Sequence, residues 1–137
     1  MKPQFVFDAW AILALLQGEE PAASRVKHLL ESAERGETEI ALCIVNLGEV
    51  YYRIGKVRGE SEAVSTLTSI QRLAISIVSV TDKMVFSAAE LKMHHSISYA
   101  DAFAVATAAQ LGATLVTGDP ELVQLTHNIR IEPLTRN

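Results

Sequence analysis

The sequence predicts an α/β fold: a three-layer α/β/α sandwich around a mainly parallel sheet of roughly five strands. Short apolar runs alternate with longer helix-period segments along the whole chain, the pattern of a parallel sheet joined by helical crossovers. The first run, ending Phe5-Val6-Phe7, is continuously apolar, as a central strand buried on both faces should be. Helix-stopping glycines separate the segments, with no repeat, low-complexity tract or Gly/Ser linker, so residues 1–137 read as one domain.

Each element follows from local chemistry. Gln4–Phe7 is the first strand, and the Ala- and Leu-rich segment Ala9–Leu16 is a helix stopped near Gly18. Pro21 suits the first position of a second helix, which presents Val26, Leu29 and Leu30 on one face and ends before Gly36. Glu39–Cys43 is the second strand. Asn46 to about Lys56 is a helix, Gly55 and Gly59 bracket a turn, and Ser61–Leu73 is helical. Ile75–Val78 alternates as a third strand, and Thr81 is a natural N-cap for a helix to His94. Tyr99–Leu111 is helical and stopped by Gly112, Thr114–Thr117 is the fourth strand, and Ile129–Ile131 is the fifth, at the edge.

The composition limits the function. A net charge of −4 argues against a broadly basic nucleic-acid-coating protein, though not against an acidic centre with a basic rim. The one cysteine, Cys43, lies in an apolar run, reads as a small buried hydrophobe, and fits a reducing cytoplasm. Asp8 interrupts the first apolar stretch, unlike any signal peptide, and no uncharged run approaches the ~18 residues of a membrane span.

In open α/β sheets, ligands bind beyond the carboxyl ends of the strands. Asp8 directly follows the first strand and Asp119 the fourth, while Glu49 and Asp101 fall in the first turns of helices at the same edge. Glu49 and Asp101 are lone charges in apolar helical stretches, and a buried carboxylate needs something to satisfy it. Each acid also has a structural reading. Asp8 and Asp119 suit N-caps, and Asn46…Glu49 and Ser98…Asp101 match capping-box spacing. Four clustered carboxylates repel one another, which a hard divalent cation, Mg²⁺ or Mn²⁺, resolves. No His/Cys set has zinc spacing: His94 and His95 are adjacent, and Cys43 is alone.

These residues carry a resemblance. Phe5-Val-Phe-Asp8, Asn46-Leu-Gly-Glu49, Ser98-Tyr-Ala-Asp101 and Leu115-Val-Thr-Gly-Asp119 resemble, in order, the motifs of the PIN-domain nucleases. Size and the Glu20-Pro21 stretch resemble the VapC toxins of toxin–antitoxin pairs. The resemblance implies a Mg²⁺- or Mn²⁺-dependent endoribonuclease that leaves a 5′-phosphate. It implies Asp8 and Asp101 as direct ligands, Glu49 as a ligand or orienter of water, Asp119 as a further acid, and Asn46 and Thr117 as hydrogen-bonding supports. It further implies RNA as substrate, an antitoxin partner that blocks the metal edge, a homodimer, and no membrane. Arg53, Lys56 and Arg58, and separately Lys92, His94 and His95, are candidates for RNA phosphate contacts, against the alternative of an ordinary solvated face. Trp10 is a candidate for base stacking, against core packing.

One departure stands out. Many family members carry Thr or Ser directly after the first Asp, where this chain has Ala9 and Trp10, and Thr117 is the substitute candidate. The departure supports an alternative, a PIN-like scaffold that binds a partner and cleaves nothing. A phosphatase reading is disfavoured, because Trp10 stands where a second Asp would follow the nucleophile and no Gly-rich phosphate loop is present.

Overall fold

The computed structural model describes residues 1–125 and 129–137. Among them five strands form one sheet: β1 (Gln4–Phe7), β2 (Glu39–Cys43), β3 (Ser76–Val78), β4 (Thr114–Thr117) and β5 (Ile131–Pro133). Their order is β3-β2-β1-β4-β5, and every pairing is parallel. The helices that accompany them are α1 (Ala9–Gln17), α2 (Ala22–Glu34), α3 (Ile44–Arg58), α4 (Glu60–Gln71), α5 (Asp82–His94), α6 (Tyr99–Leu111) and α7 (Pro120–Val123).

The layers follow from the two-residue period of a strand. Phe7, Ile40, Leu42 and Val116 face one side, where they pack with Ile12, Val26, Leu47, Val50 and Ile70 of α1 to α4. Val6, Ala41, Cys43 and Leu115 face the other, against Met84, Leu91, Ala104 and Val105 of α5 and α6. The sandwich and its parallel sheet are therefore as the sequence predicts. Helix α6 is buried on every side from Asp101 to Ala108, as its apolar circumference requires. Gly18 and Gly112 stop α1 and α6 in the left-handed region, at φ 64° and 62°, where a Cβ would be strained.

Several boundaries differ from the sequence reading, each for a tertiary reason. Strand β2 runs into α3 without a loop, so the helix starts at Ile44 and Asn46 lies inside it, fully buried. The expected turn at Gly55 is absent: α3 continues to Arg58, because its packing against α4 (Ile54, Ala63, Ile70) outweighs the low helix propensity of glycine. Pro21 caps α2 rather than opening it. Strand β5 lies two residues further on than expected, its register fixed by Leu115↔Ile131 and its exposed side tolerating Pro133 at the sheet edge. Arg25 of α2 grips it through two bonds to Glu132, at 2.7 and 3.0 Å. Helix α7 was visible only as the Asp119-Pro120 cap. Among the described residues no helix is long and apolar enough to cross a membrane.

Ala104 has no exposed surface in the middle of α6. Ala104→Leu should lower stability by about 1–3 kcal/mol through overpacking. The check is the urea midpoint, and an unchanged midpoint would show that α6 is not pressed between layers.

Candidate active site

The carboxyl ends of β1 and β4 are tied together by one threonine. Asp8 Oδ1 accepts the Ala11 N–H at 2.9 Å and so caps α1, while Oδ2 accepts the Thr117 hydroxyl. The same hydroxyl accepts the Asp119 N–H at 3.1 Å. Asp119 Oδ1 in turn accepts the Glu121 N–H at 2.9 Å and caps α7. On α6, Ser98 Oγ accepts the Asp101 N–H at 3.1 Å. The capping roles of Asp8 and Asp119 are thus real, and they aim both residues at the same edge.

The structure brings three of the four predicted acids to the wall of one cleft, of about 170 Å³, lined by Glu49, Asp101 and Asp119 together with Trp10, Arg53 and Arg136. Carboxylate oxygens of Asp101, Asp119 and Glu121 lie within 4.8 Å of one another. Glu121 escaped the sequence reading, and its only signal was its place two residues after Asp119. Asp8, at 1% exposure, sits behind the cleft rather than on its wall. The tight cluster is therefore built on Asp101 and Asp119, with Asp8 as the anchor beneath them.

Burial raises the Asp8 carboxyl from an ordinary 3.8 to about 7. The bonds from Thr117 and Ala11 oppose that rise, and the charges of Asp119 and Glu49 add to it. Asp101 is also raised to about 7, first by burial and then by the negative charge of Asp119 beside it. All-carboxylate donors with mutual repulsion match a hard divalent cation of the Mg²⁺ or Mn²⁺ kind. Asp101, Asp119 and Glu121 have carboxylate oxygens close enough together to hold one.

The neighbours are ordered around this cluster. Asn46 is no helix cap: its Nδ2 donates to the Ala100 carbonyl at 3.0 Å, fixing the start of α6 just before Asp101. Glu49 falls in the second turn of α3 and pairs with Arg53 at 2.9 Å. A groove of about 270 Å³ lined by Arg53, Lys56 and Arg58 shares Leu13, Gln17 and Arg53 with the acid cleft, so these cations flank it. The other basic group does not. Lys92 Nζ is held by the Ile97 carbonyl at 2.8 Å, and His94 and His95 line a hollow between α5 and α6 that none of the four predicted acids borders. Trp10 packs against the core, with the tip of its indole so close to Gly118 that a Cβ there would sit 2.2 Å from it. The Arg136 guanidinium lies over the same ring, 5.0 Å from its centroid, so the stacking partner of Trp10 is an arginine of its own chain.

The family model of the PIN domain matches residues 5–128. The chain belongs to the PIN-domain family. No curated protein matches the sequence. Among solved structures, this PIN domain is similar to VapBC2 from Rickettsia felis bound to a DNA fragment from their promoter. The TM-score is 0.76 at 18% identity, covering 96% of this chain and 99% of the other. It is similar to VapC20 of Mycobacterium tuberculosis, a sarcin-ricin loop cleaving toxin, with TM-score 0.72 and 18% identity over 92% and 98% of the two chains. It is similar also to DNA-bound VapBC from Salmonella typhimurium, with TM-score 0.71 and 15% identity over 96% and 98%. At these identities the likeness is one of fold.

Two outcomes follow from the geometry of this PIN domain. The Asp8 carboxyl holds its proton more tightly folded (about 7) than unfolded (3.8). Its stabilising contribution is full below 3.8 and is lost as pH rises through 7. Asp8→Asn keeps the cap without the titration. In EDTA the wild type should therefore lose stability relative to Asp8→Asn between pH 4 and 7. The loss should reach a few kcal/mol, because each tenfold gain in proton affinity on folding is worth about 1.4 kcal/mol. Parallel denaturation curves across that range would contradict the burial argument. Separately, Gly118→Ala should cost about 1–3 kcal/mol by driving a methyl into the indole. Trp10→Leu should relieve most of that penalty in a double-mutant cycle.

Proposed function

We propose that residues 1–137 act as a single Mg²⁺- or Mn²⁺-dependent endoribonuclease domain, the toxin of a VapBC-type toxin–antitoxin pair. The observation that carries the reading is the convergence of Asp101, Asp119 and Glu121 at the carboxyl edge of a parallel sheet, with Asp8 and Glu49 adjoining. Membership of the PIN-domain family and the likeness in fold to VapBC proteins support it.

In this reading Asp101, Asp119 and Glu121 hold the ion, Asp8 supports them from beneath, and Glu49 ligates or orients water. A divalent ion there supplies positive charge beside the scissile phosphate and lowers the pKa of water. The chain's own residues do the rest. Thr117 fixes Asp8 against the Asp119 backbone, so the acids of β1 and β4 keep their spacing without ligand. Asn46 fixes the α6 start that carries Asp101. Arg53 offsets the charge of Glu49, and with Lys56 and Arg58 gives the acid cleft a basic flank for RNA phosphates. Hydrolysis leaves a 5′-phosphate.

The partners on this reading are an antitoxin that covers the acid edge in the resting cytoplasm and a second copy of the chain. The likeness to VapBC proteins supports the antitoxin. The competing scaffold reading draws on Ala9 and Trp10, which supply no hydroxyl after Asp8.

The purified chain should cut a pool of structured RNAs with Mg²⁺ or Mn²⁺ and not with EDTA. Asp101→Asn should abolish the cuts, and Thr117→Val, which removes only a support, should lower the rate about 10- to 100-fold. Folded, antitoxin-free protein that binds Mn²⁺ yet leaves every RNA intact would favour the scaffold.

A further inference from the structure

Two arginines stand on the wall of the acid cleft, and they are held differently. Arg53 is bound to Glu49, itself one of the site acids, so its charge is offset within the cleft. Arg136 is bound to Glu19, at 3.0 Å, and Glu19 does not line the cleft. Among the described residues Glu19 is its one hydrogen-bonded partner. A guanidinium has five N–H donors in a planar fork, so most of its donors are uncommitted. Its side chain is half exposed.

The position of Arg136 is nevertheless fixed. Its backbone bridges to Pro21, with Ala22 N–H donating to Thr135 O at 3.0 Å and Asn137 N–H to Glu20 O at 2.9 Å. Its guanidinium stacks on Trp10, whose indole tip abuts Gly118, the residue before Asp119. The same indole therefore holds the arginine and abuts the loop that carries a cluster acid. A guanidinium held at fixed distance from such a cluster, and spent on none of its carboxylates, suits bidentate capture of a phosphodiester.

The geometry points to Arg136 as a substrate-binding residue that grips an RNA backbone phosphate next to the one positioned at the acid cluster. The inference rests on the nuclease reading and adds to it the residue that seats the strand. Trp10 serves as its platform and Glu19 as the tether that holds it when no RNA is bound.

The test compares wild type, Arg136→Gln, Arg136→Lys and Glu19→Gln. Binding of a fluorescent pool of structured RNAs is measured in EDTA over a range of KCl, and cleavage in Mg²⁺. Arg136→Gln should weaken binding and lower kcat/KM about 10- to 100-fold, mainly through KM, as expected on losing a charged hydrogen bond. It should flatten the slope of log K against log salt by about 0.7–0.9, one phosphate contact. Arg136→Lys should recover the salt slope but only part of the affinity. Glu19→Gln removes the same ion pair yet keeps the guanidinium, so it should bind RNA at least as well as wild type. The inference is overturned if Arg136→Gln binds like wild type with the same slope. It is equally overturned if Glu19→Gln matches the loss, which would make the ion pair a purely structural tie. Failure of wild type to cleave would instead sink the nuclease reading, and the binding arm would still decide whether Arg136 contacts RNA.

Discussion

Strand β1 is flanked by β2 and β4 and covered by helices on both faces, so a charge on it has one place to go, beyond its carboxyl end. Asp8 takes that place and is still almost wholly cut off from water. Its acceptor oxygens are met by the Ala11 amide and the Thr117 hydroxyl, and the second of these depends on register. Phe7 pairs with Val116, which brings the next residues of the two strands side by side. A one-residue slip would turn Thr117 to the other face and leave a buried carboxylate short of a donor. The spacing of Asp119 and Glu121 is referred to this clamp, since Thr117 also fixes Asp119, and Asp119 caps the turn that presents Glu121.

What was legible in the sequence was contrast. Asp101 stood out because a lone acid on a helix of alanines has no reason to be there unless something answers its charge. Asp8 stood out because it ended an apolar strand. Glu121 had no such contrast: an exposed acid in a first helical turn is ordinary, since it favours the helix dipole. Asn46 misled for a related reason. Its spacing to Glu49 copies a capping box, and only the direct passage of β2 into α3 reveals that it lies one turn too deep to cap and serves α6 instead. Arg136 was beyond local reading altogether, since the residue that anchors it, Glu19, is 117 positions away.

The residues after Asp8 take a structural part in the same geometry. The first turn of α1 carries no hydroxyl beside Asp8: Ala9 is buried and Trp10 follows it. The hydroxyl that meets Asp8 is that of Thr117, on the neighbouring strand, so it reaches the carboxylate from the side of the sheet rather than from the helix. Trp10 does something a smaller side chain could not. Its ring spans from Gly118 to Arg136, which links the first turn of α1 to the Asp119 loop and to the segment around Arg136. Gly118 is the necessary counterpart: any side chain there would meet the indole. Trp10, Gly118 and Arg136 are thus a coupled set, and a change at one is felt at the others.

The same arrangement makes the site a cost to the fold. Two carboxyls raised to about 7 mean that near neutral pH the acid edge either keeps protons it would lose in water or carries charges it cannot solvate. Their environments differ in a telling way. For Asp8 the opposing contributions are hydrogen bonds from the chain itself, so the effect of its burial is partly offset internally. For Asp101 the main aggravation after burial is Asp119, another acid, and among the described residues nothing cationic pairs with either of them in the cleft. Arg53 and Arg136, the two cations that line the cleft, each pair with a different acid, Glu49 and Glu19. The fold has therefore placed positive charge at the rim and withheld it from the centre. That distribution serves no purpose in a structural acid cluster, which a single inward arginine would stabilise more simply. It is the distribution that the proposed nuclease reading calls for, a centre that accepts a divalent cation and a rim that meets a polyanion.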